Sequence, residues 1–233
     1  MRSDLTNKDK LVRRVFNSVA EKYDLMNDMM SFGAHRLWKK EMLSILQPQP
    51  TEVLLDVAGG TGDIARAFLA KGGGRAIICD INHNMLVAGM CQRGSSEFLQ
   101  LICGNGENIP FRDSAVDSCS IAFGIRNMSN MKRAISEALR VMKPMGKFVC
   151  LEFLNCDSSP FSKIYDMYSY KVIPTLGKLV ADDDSAYRYL IESIRSFPKS
   201  REFINLLREC GLGMVTMHEL FPPVAAIYWG YKV

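Results

Sequence analysis

Asp56-Val57-Ala58-Gly59-Gly60-Thr61-Gly62-Asp63 decides the fold. An apolar run, 52–57, leads into it, and an amphipathic stretch, 64–69, leads out. The segment therefore reads as a strand, a glycine-rich turn and a helix. The same rhythm continues on the C-terminal side. Strands are expected at 76–79, 98–102, 116–123 and 147–153, with helices at 85–90 and 131–142 between them. Strands that alternate with helices imply right-handed crossovers, so the sheet should be parallel and covered on both faces. A helix at 199–210 stops at Gly211. Two last strands, 215–220 and 225–231, flank Phe221-Pro222-Pro223 and should close one edge as an antiparallel hairpin. The expected fold is α/β, a doubly wound, mostly parallel seven-stranded sheet. Upstream, helices are expected at 9–22 and 34–46, the second with Leu37, Trp38, Ser44, Ile45 and Leu46 on one apolar face.

The chain has 233 residues, 48% hydrophobic and 23% charged. At about 150 residues per domain this leaves room for one domain with additions. The balance is that of a globular protein, not of a disordered tail, a collagen or a coiled coil. No apolar run nears the ~18 residues of a membrane span, and residues 1–10 lack a secretory core. Seven cysteines, an odd number without a Cys-x-x-Cys pair, fit a reducing compartment. The net charge of +4 shows no Lys/Arg stripe, so nucleic acid is not expected as a partner. Met26, Met29 and Met30 crowd one N-terminal stretch. Five of the eight tyrosines fall within 155–198.

Asp80 lies 18 residues after Gly62, at the end of the second strand. There a carboxylate can accept hydrogen bonds from ribose hydroxyls, while the glycine turn admits a ligand to the helix N-terminus. The plainer reading is an ordinary tight turn with a capping Asp. Gly60-Thr61-Gly62-Asp63-Ile64-Ala65 also fits a dinucleotide fingerprint, a weak signal on its own. Asp56 and Asp63, however, would repel a pyrophosphate and would suit the cationic groups of S-adenosylmethionine. After the third strand, Cys103-Gly104-Asn105-Gly106-Glu107-Asn108-Ile109-Pro110-Phe111 offers small polar residues to an adenine. The fourth strand runs out as Ile121-Ala122-Phe123-Gly124-Ile125-Arg126-Asn127. A guanidinium and a carboxamide at that edge can hold an oxygen anion; Arg126 reads equally well as a structural ion-pair partner.

Taken together, the chain resembles the ubiquinone/menaquinone biosynthesis C-methyltransferase family, within the class I, Rossmann-like methyltransferases. The resemblance rests on Phe16-Asn17-Ser18-Val19-Ala20-Glu21-Lys22-Tyr23-Asp24-Leu25-Met26-Asn27-Asp28 and Ser31-Phe32-Gly33-Ala34-His35-Arg36-Leu37-Trp38-Lys39. It rests also on the glycine turn, Asp80-Ile81-Asn82, Phe123-Gly124-Ile125-Arg126-Asn127 and Arg140-Val141-Met142-Lys143-Pro144. It implies methylation of a ring carbon of a polyprenylated benzoquinol or naphthoquinol, with S-adenosylmethionine as cofactor and no metal. The resemblance implies Thr61, Asp80, Asn105, Gly106 and Ala122 as cofactor residues, to which the reading of the turn adds Asp56 and Gly60. For such a reaction Arg126, Asn127 and Tyr23 are the expected catalytic residues, Arg126 stabilising a phenolate, Asn127 orienting the ring oxygen and Tyr23 closing over the pocket. Ala122 stands where the family often carries Ser, Gly106 where it carries Ala, and Met145 where it carries Gly.

One domain over 1–233 is expected: a helical lid (1–51), a cofactor core (52–154), a helical substrate cover (155–213) and a closing hairpin (214–233). The polyprenyl tail calls for an apolar groove, for which the Met cluster and the aromatic segment 155–198 are candidates. A cytoplasmic protein touching the inner face of the membrane is expected, as a homodimer or as a member of a quinone-biosynthesis complex. Competing readings are a methyltransferase for another small molecule or for RNA, a nicotinamide-dependent oxidoreductase, and a non-catalytic lipid-binding assembly factor.

Overall fold

A computed structural model describes residues 33–155 and 185–233, with Asp28 and Ser31. The predicted helix 9–22, Tyr23, the Met26, Met29 and Met30 cluster and Tyr165, Tyr168 and Tyr170 lie outside the described residues.

The chain enters through α1 (His35–Leu46) and then alternates β1 (Val53–Val57), α2 (Asp63–Ala70), β2 (Arg75–Asp80), α3 (His83–Arg93) and β3 (Leu99–Cys103). It continues through β4 (Val116–Ala122), a 3₁₀ turn (Ile125–Asn127), α4 (Met131–Val141) and β5 (Met142–Phe153). The remainder is α5 (Ser185–Arg195), α6 (Ser200–Glu209), β6 (Leu212–Glu219) and β7 (Ala225–Lys232). The sheet has seven strands in the order β3-β2-β1-β4-β5-β7-β6. β1 through β5 pair in parallel, and β7 runs antiparallel to both β5 and β6. The expected doubly wound sheet with an antiparallel closing hairpin is therefore the observed one. The strand order reverses between β1 and β4, and at such a switch point the carboxyl ends of the strands part to leave a crevice.

Both faces of the sheet are buried, because successive strand residues point to opposite sides. Leu54, Ile78, Val149 and Leu151 join the cluster beneath α1 and α2. Their neighbours Leu55, Ile77, Cys79 and Cys150 join the one beneath α4 and α6. The cysteines in apolar strand runs thus serve as small core residues.

Two expectations need correction. Leu37 is not on the apolar face of α1: it is 64% exposed, and the buried positions are His35, Trp38, Met42, Leu43 and Leu46. That spacing follows the 3.6-residue period from Trp38, which fixes the face. Trp38 packs edge-on against Phe153, centroids 6.1 Å apart, and its indole N–H donates to the Phe221 carbonyl at 2.9 Å. The second correction is at β5, which starts at Met142 and not near Lys147. Its ladder with β4 steps from Val116–Met142 to Ser118–Lys147. The intervening residues bulge out, so Pro144 never has to donate to a neighbouring strand.

Candidate cofactor and acceptor site

At the carboxyl ends of β1, β2 and β4 two adjoining cavities share Ala58, Gly60 and Phe123. The larger is lined by Asp80, Asn82, Asn105, Gly106, Asn127 and Met128, among others. The smaller lies over the glycine turn and takes in Asp56, Thr61, Asp63, Ala122 and Lys39. The predicted cofactor residues thus divide between two parts of one crevice.

The turn is held from below. Gly60 and Gly62 have φ of 56° and 86°, a region side chains seldom enter. A Cβ on Gly62 would stand 2.3 Å from Ile78 Cδ1. The Gly60 amide donates to Asp80 Oδ2 at 2.9 Å and the Asn82 amide to Asp80 Oδ1 at 2.7 Å. Asp80 therefore braces the turn as well as facing the cavity. Across from it, Asn105 Oδ1 accepts from the Glu107 amide at 2.9 Å, and Glu107 Oε1 accepts from the Ser129 and Asn130 amides at 2.7 and 3.0 Å. That loop is tied at both ends and keeps Gly106 against Val57, where a Cβ would come within 2.7 Å of Val57 Cγ1. Glycine at 106 thus suits this close contact.

Asp56 is the unusual group. Ser120 Oγ donates to its Oδ1 at 2.7 Å, while its buried Oδ2 has no hydrogen-bond partner. Burial pushes its carboxyl up to about 7, outweighing the Ser120 hydrogen bond, the Ala65 amide and the Lys39 charge. A buried carboxyl with an unsatisfied oxygen is suited to a cation or a donor arriving in the cavity. A pyrophosphate would meet this group and Asp63 instead of free amides. The residues present therefore fit S-adenosylmethionine: Asp80 for the ribose hydroxyls, the Asn105–Gly106 backbone for the adenine side, and Asp56 for the cationic end.

Of the three residues implied as catalytic, Asn127 lines the larger cavity. Its Nδ2 donates to the Phe123 carbonyl at 3.3 Å, and its Oδ1 accepts from the Tyr189 hydroxyl at 3.2 Å. Arg126 does not line either cavity. It is 3% exposed and pairs with the fully buried Glu152 at 2.6 Å. The same Nη1 donates to the Phe123 carbonyl at 2.7 Å and Nε to Ser193 Oγ at 3.3 Å, while the guanidinium lies over the Phe153 ring. Tyr23 is outside the described residues.

Three participants were missed. Asn82 caps α3 through its Oδ1 and leaves a buried Nδ2 without a partner at the cavity wall; its place beside Asp80 was the available signal. Glu152 was visible only as a charge interrupting an apolar strand, which calls for a buried partner. Lys39 gave no local signal, since a lysine on an amphipathic helix reads as solvent-facing.

The profile of the ubiE/COQ5 methyltransferase family matches residues 4–232. A protein of Bartonella tribocorum named ubiquinone/menaquinone biosynthesis C-methyltransferase is 43% identical, over 100% of this chain and 92% of its own. The mitochondrial 2-methoxy-6-polyprenyl-1,4-benzoquinol methylase of Xenopus laevis is 40% identical, over 97% and 86%. Among solved structures, an S-adenosylmethionine-dependent methyltransferase from Aquifex aeolicus aligns with a TM-score of 0.64 at 15% identity, covering 98% of this chain and 100% of its own. That likeness is one of fold.

Proposed function

The chain belongs to the ubiE/COQ5 methyltransferase family, and on that premise we propose how its crevice works. The protein is an S-adenosylmethionine-dependent C-methyltransferase of ubiquinone/menaquinone biosynthesis. Its acceptor is a polyprenylated quinol, in which a methyl group replaces a ring hydrogen that leaves as a proton. When bound, S-adenosylmethionine supplies an electrophilic methyl group on a sulfonium. The observation that carries the cofactor reading is the turn itself: Asp80 braces Gly60 while Asp56 keeps a buried, unpartnered oxygen at the same cavity.

The ring carbon becomes nucleophilic when a neighbouring hydroxyl gives up its proton, so the site must orient and stabilise an oxygen anion. Asn127 is placed for that task. Tyr189 holds its Oδ1 and the Phe123 carbonyl holds one Nδ2 hydrogen, which leaves the second hydrogen to donate. Arg126 acts on this group indirectly. By gripping the Phe123 carbonyl and Glu152 it sets the turn from which Asn127 projects, so it is a positioning residue. Tyr23 remains the candidate to close over the acceptor and exclude water.

No described helix is long and apolar enough to cross a membrane. Peripheral contact fits an acceptor with a polyprenyl tail, and the outer side of α1 supports it by exposing Leu37 between Arg36 and Lys40. Flotation with anionic vesicles should carry the protein upward, and Leu37→Asp should weaken that; a protein left wholly at the bottom counts against membrane contact.

Methyl-labelled S-adenosylmethionine incubated with the protein and either a prenylated benzoquinol or a prenylated naphthoquinol tests the activity. Label in the lipid extract is expected with at least one quinol. Cofactor binding without transfer to either would favour a non-catalytic lipid-binding protein.

A further inference from the structure

S-adenosylmethionine carries two opposite charges on its amino-acid end, an α-ammonium and an α-carboxylate. The crevice answers the ammonium with Asp56. A carboxylate beside Asp56 and Asp63 would be repelled unless a cation stood with it. Among the described residues that line the two adjoining cavities, the larger offers no Lys, Arg or His, and the smaller offers one cation, Lys39.

The position of Lys39 is fixed by its neighbour. Trp38 is buried, hydrogen-bonded to the Phe221 carbonyl and wedged against Phe153. That locks α1 in place and directs the next residue toward the N-terminus of α2. There the Lys39 ammonium forms an ion pair with Asp63, the first residue after the glycine turn. The lysine side chain is 14% exposed, so the pair sits partly out of water at the cavity wall, where charges act on each other strongly. Its charge already reaches Asp56, whose carboxyl it draws downward against burial.

We propose that Lys39 is the anchor for the cofactor's α-carboxylate, with Asp63 holding the lysine in place before and after the cofactor binds. The charge pattern along the turn is then complete. Asp56 faces the ammonium, Lys39 faces the carboxylate, and Asp63 keeps the ammonium of Lys39 from collapsing onto Asp56. The inference rests on the cofactor reading above and adds to it the group that recognises the amino-acid end. It also predicts that α1, and not the strand–turn–helix alone, distinguishes the full cofactor from a nucleoside fragment.

Calorimetric titration of the full chain with S-adenosylmethionine and with decarboxylated S-adenosylmethionine tests the assignment. The second probe keeps the sulfonium and the ammonium and lacks only the carboxylate. The native protein should prefer the carboxylate-bearing cofactor, and Lys39→Met should weaken its binding by about 10- to 100-fold, the worth of one charge-assisted hydrogen bond. Binding of the decarboxylated probe should stay within about twofold, as a hydrogen bond it never makes cannot be lost. Lys39→Arg should keep the preference, and Lys39→Gln should behave as the Met variant does if that one is poorly folded. Equal weakening of both probes by Lys39→Met, or no weakening of either, overturns the assignment. A native protein that binds neither probe overturns the cofactor reading itself.

Discussion

Replacing Arg126 by alanine strips the charge partner from a carboxylate that water cannot reach. Glu152 is 0% exposed, Arg126 is 3% exposed, and their contact is 2.6 Å. Removing one member of such a pair costs about 3–5 kcal/mol, because the other is left as an uncompensated buried charge. At about 2–4 °C per kcal/mol for a chain of this size, Arg126→Ala should lower the melting temperature by about 6–20 °C, followed by circular dichroism at pH 8. Burial already raises the Glu152 carboxyl above its ordinary range against the pull of Arg126, and loss of Arg126 raises it further. A carboxyl whose folded pKa is raised disfavours the charged form. Its penalty is full above the folded value and fades as pH falls toward the unfolded one. The melting deficit of Arg126→Ala should therefore shrink between pH 8 and pH 5. Adding Glu152→Gln should recover part of it at pH 8. A melting temperature within about 2 °C of the native protein would refute the argument, as would a deficit that grows on acidification.

Other predictions follow the same geometry. Asp56 has a folded pKa of about 7 against 3.8 for the free group. The cofactor-free protein should lose stability as pH rises from about 4 to about 7, by at most about 4 kcal/mol, and Asp56→Asn should flatten that part of the melting curve against pH. Since a cationic ligand favours the ionised carboxyl, cofactor affinity should rise through the same window in the native protein and not in Asp56→Asn, read by titration calorimetry. Gly62→Ala places a methyl on a left-handed residue against Ile78 and should cost about 1–3 kcal/mol in denaturant unfolding. Tyr189→Phe frees Asn127 Oδ1; turnover should fall several-fold with cofactor affinity unchanged, measured by steady-state kinetics and titration.

The parallel half of the sheet was legible because its strands are short and mostly apolar, and each runs out into a Gly, Asp or Asn at the crevice. The glycine turn and Asp80 could be placed for the same reason, since local backbone demands fix both. What depended on contacts across the fold was hidden. Leu37 is apolar and adjoins the buried face of α1 in sequence, but Trp38 docks against Phe153 and Phe221 and turns Leu37 outward. The start of β5 at Met142 was not legible, because only the bulge against β4 lets a strand pass through Pro144. Arg126 was expected to meet the acceptor oxygen. Its partners, Glu152 and Ser193, lie 26 and 67 residues away in sequence, and no spacing rule brings them together. Lys39 was passed over for the same reason, since Asp63 is 24 residues distant.

What this crevice must do is transfer a methyl group to a ring carbon. A single-turnover reaction with carbon-13 methyl-labelled S-adenosylmethionine and a prenylated quinol, its product read by NMR, tests that most directly. A methyl signal coupled to the aromatic ring carbons is expected, with one ring proton lost. A methyl bound to a ring oxygen, or an unchanged quinol in the presence of bound cofactor, would contradict it.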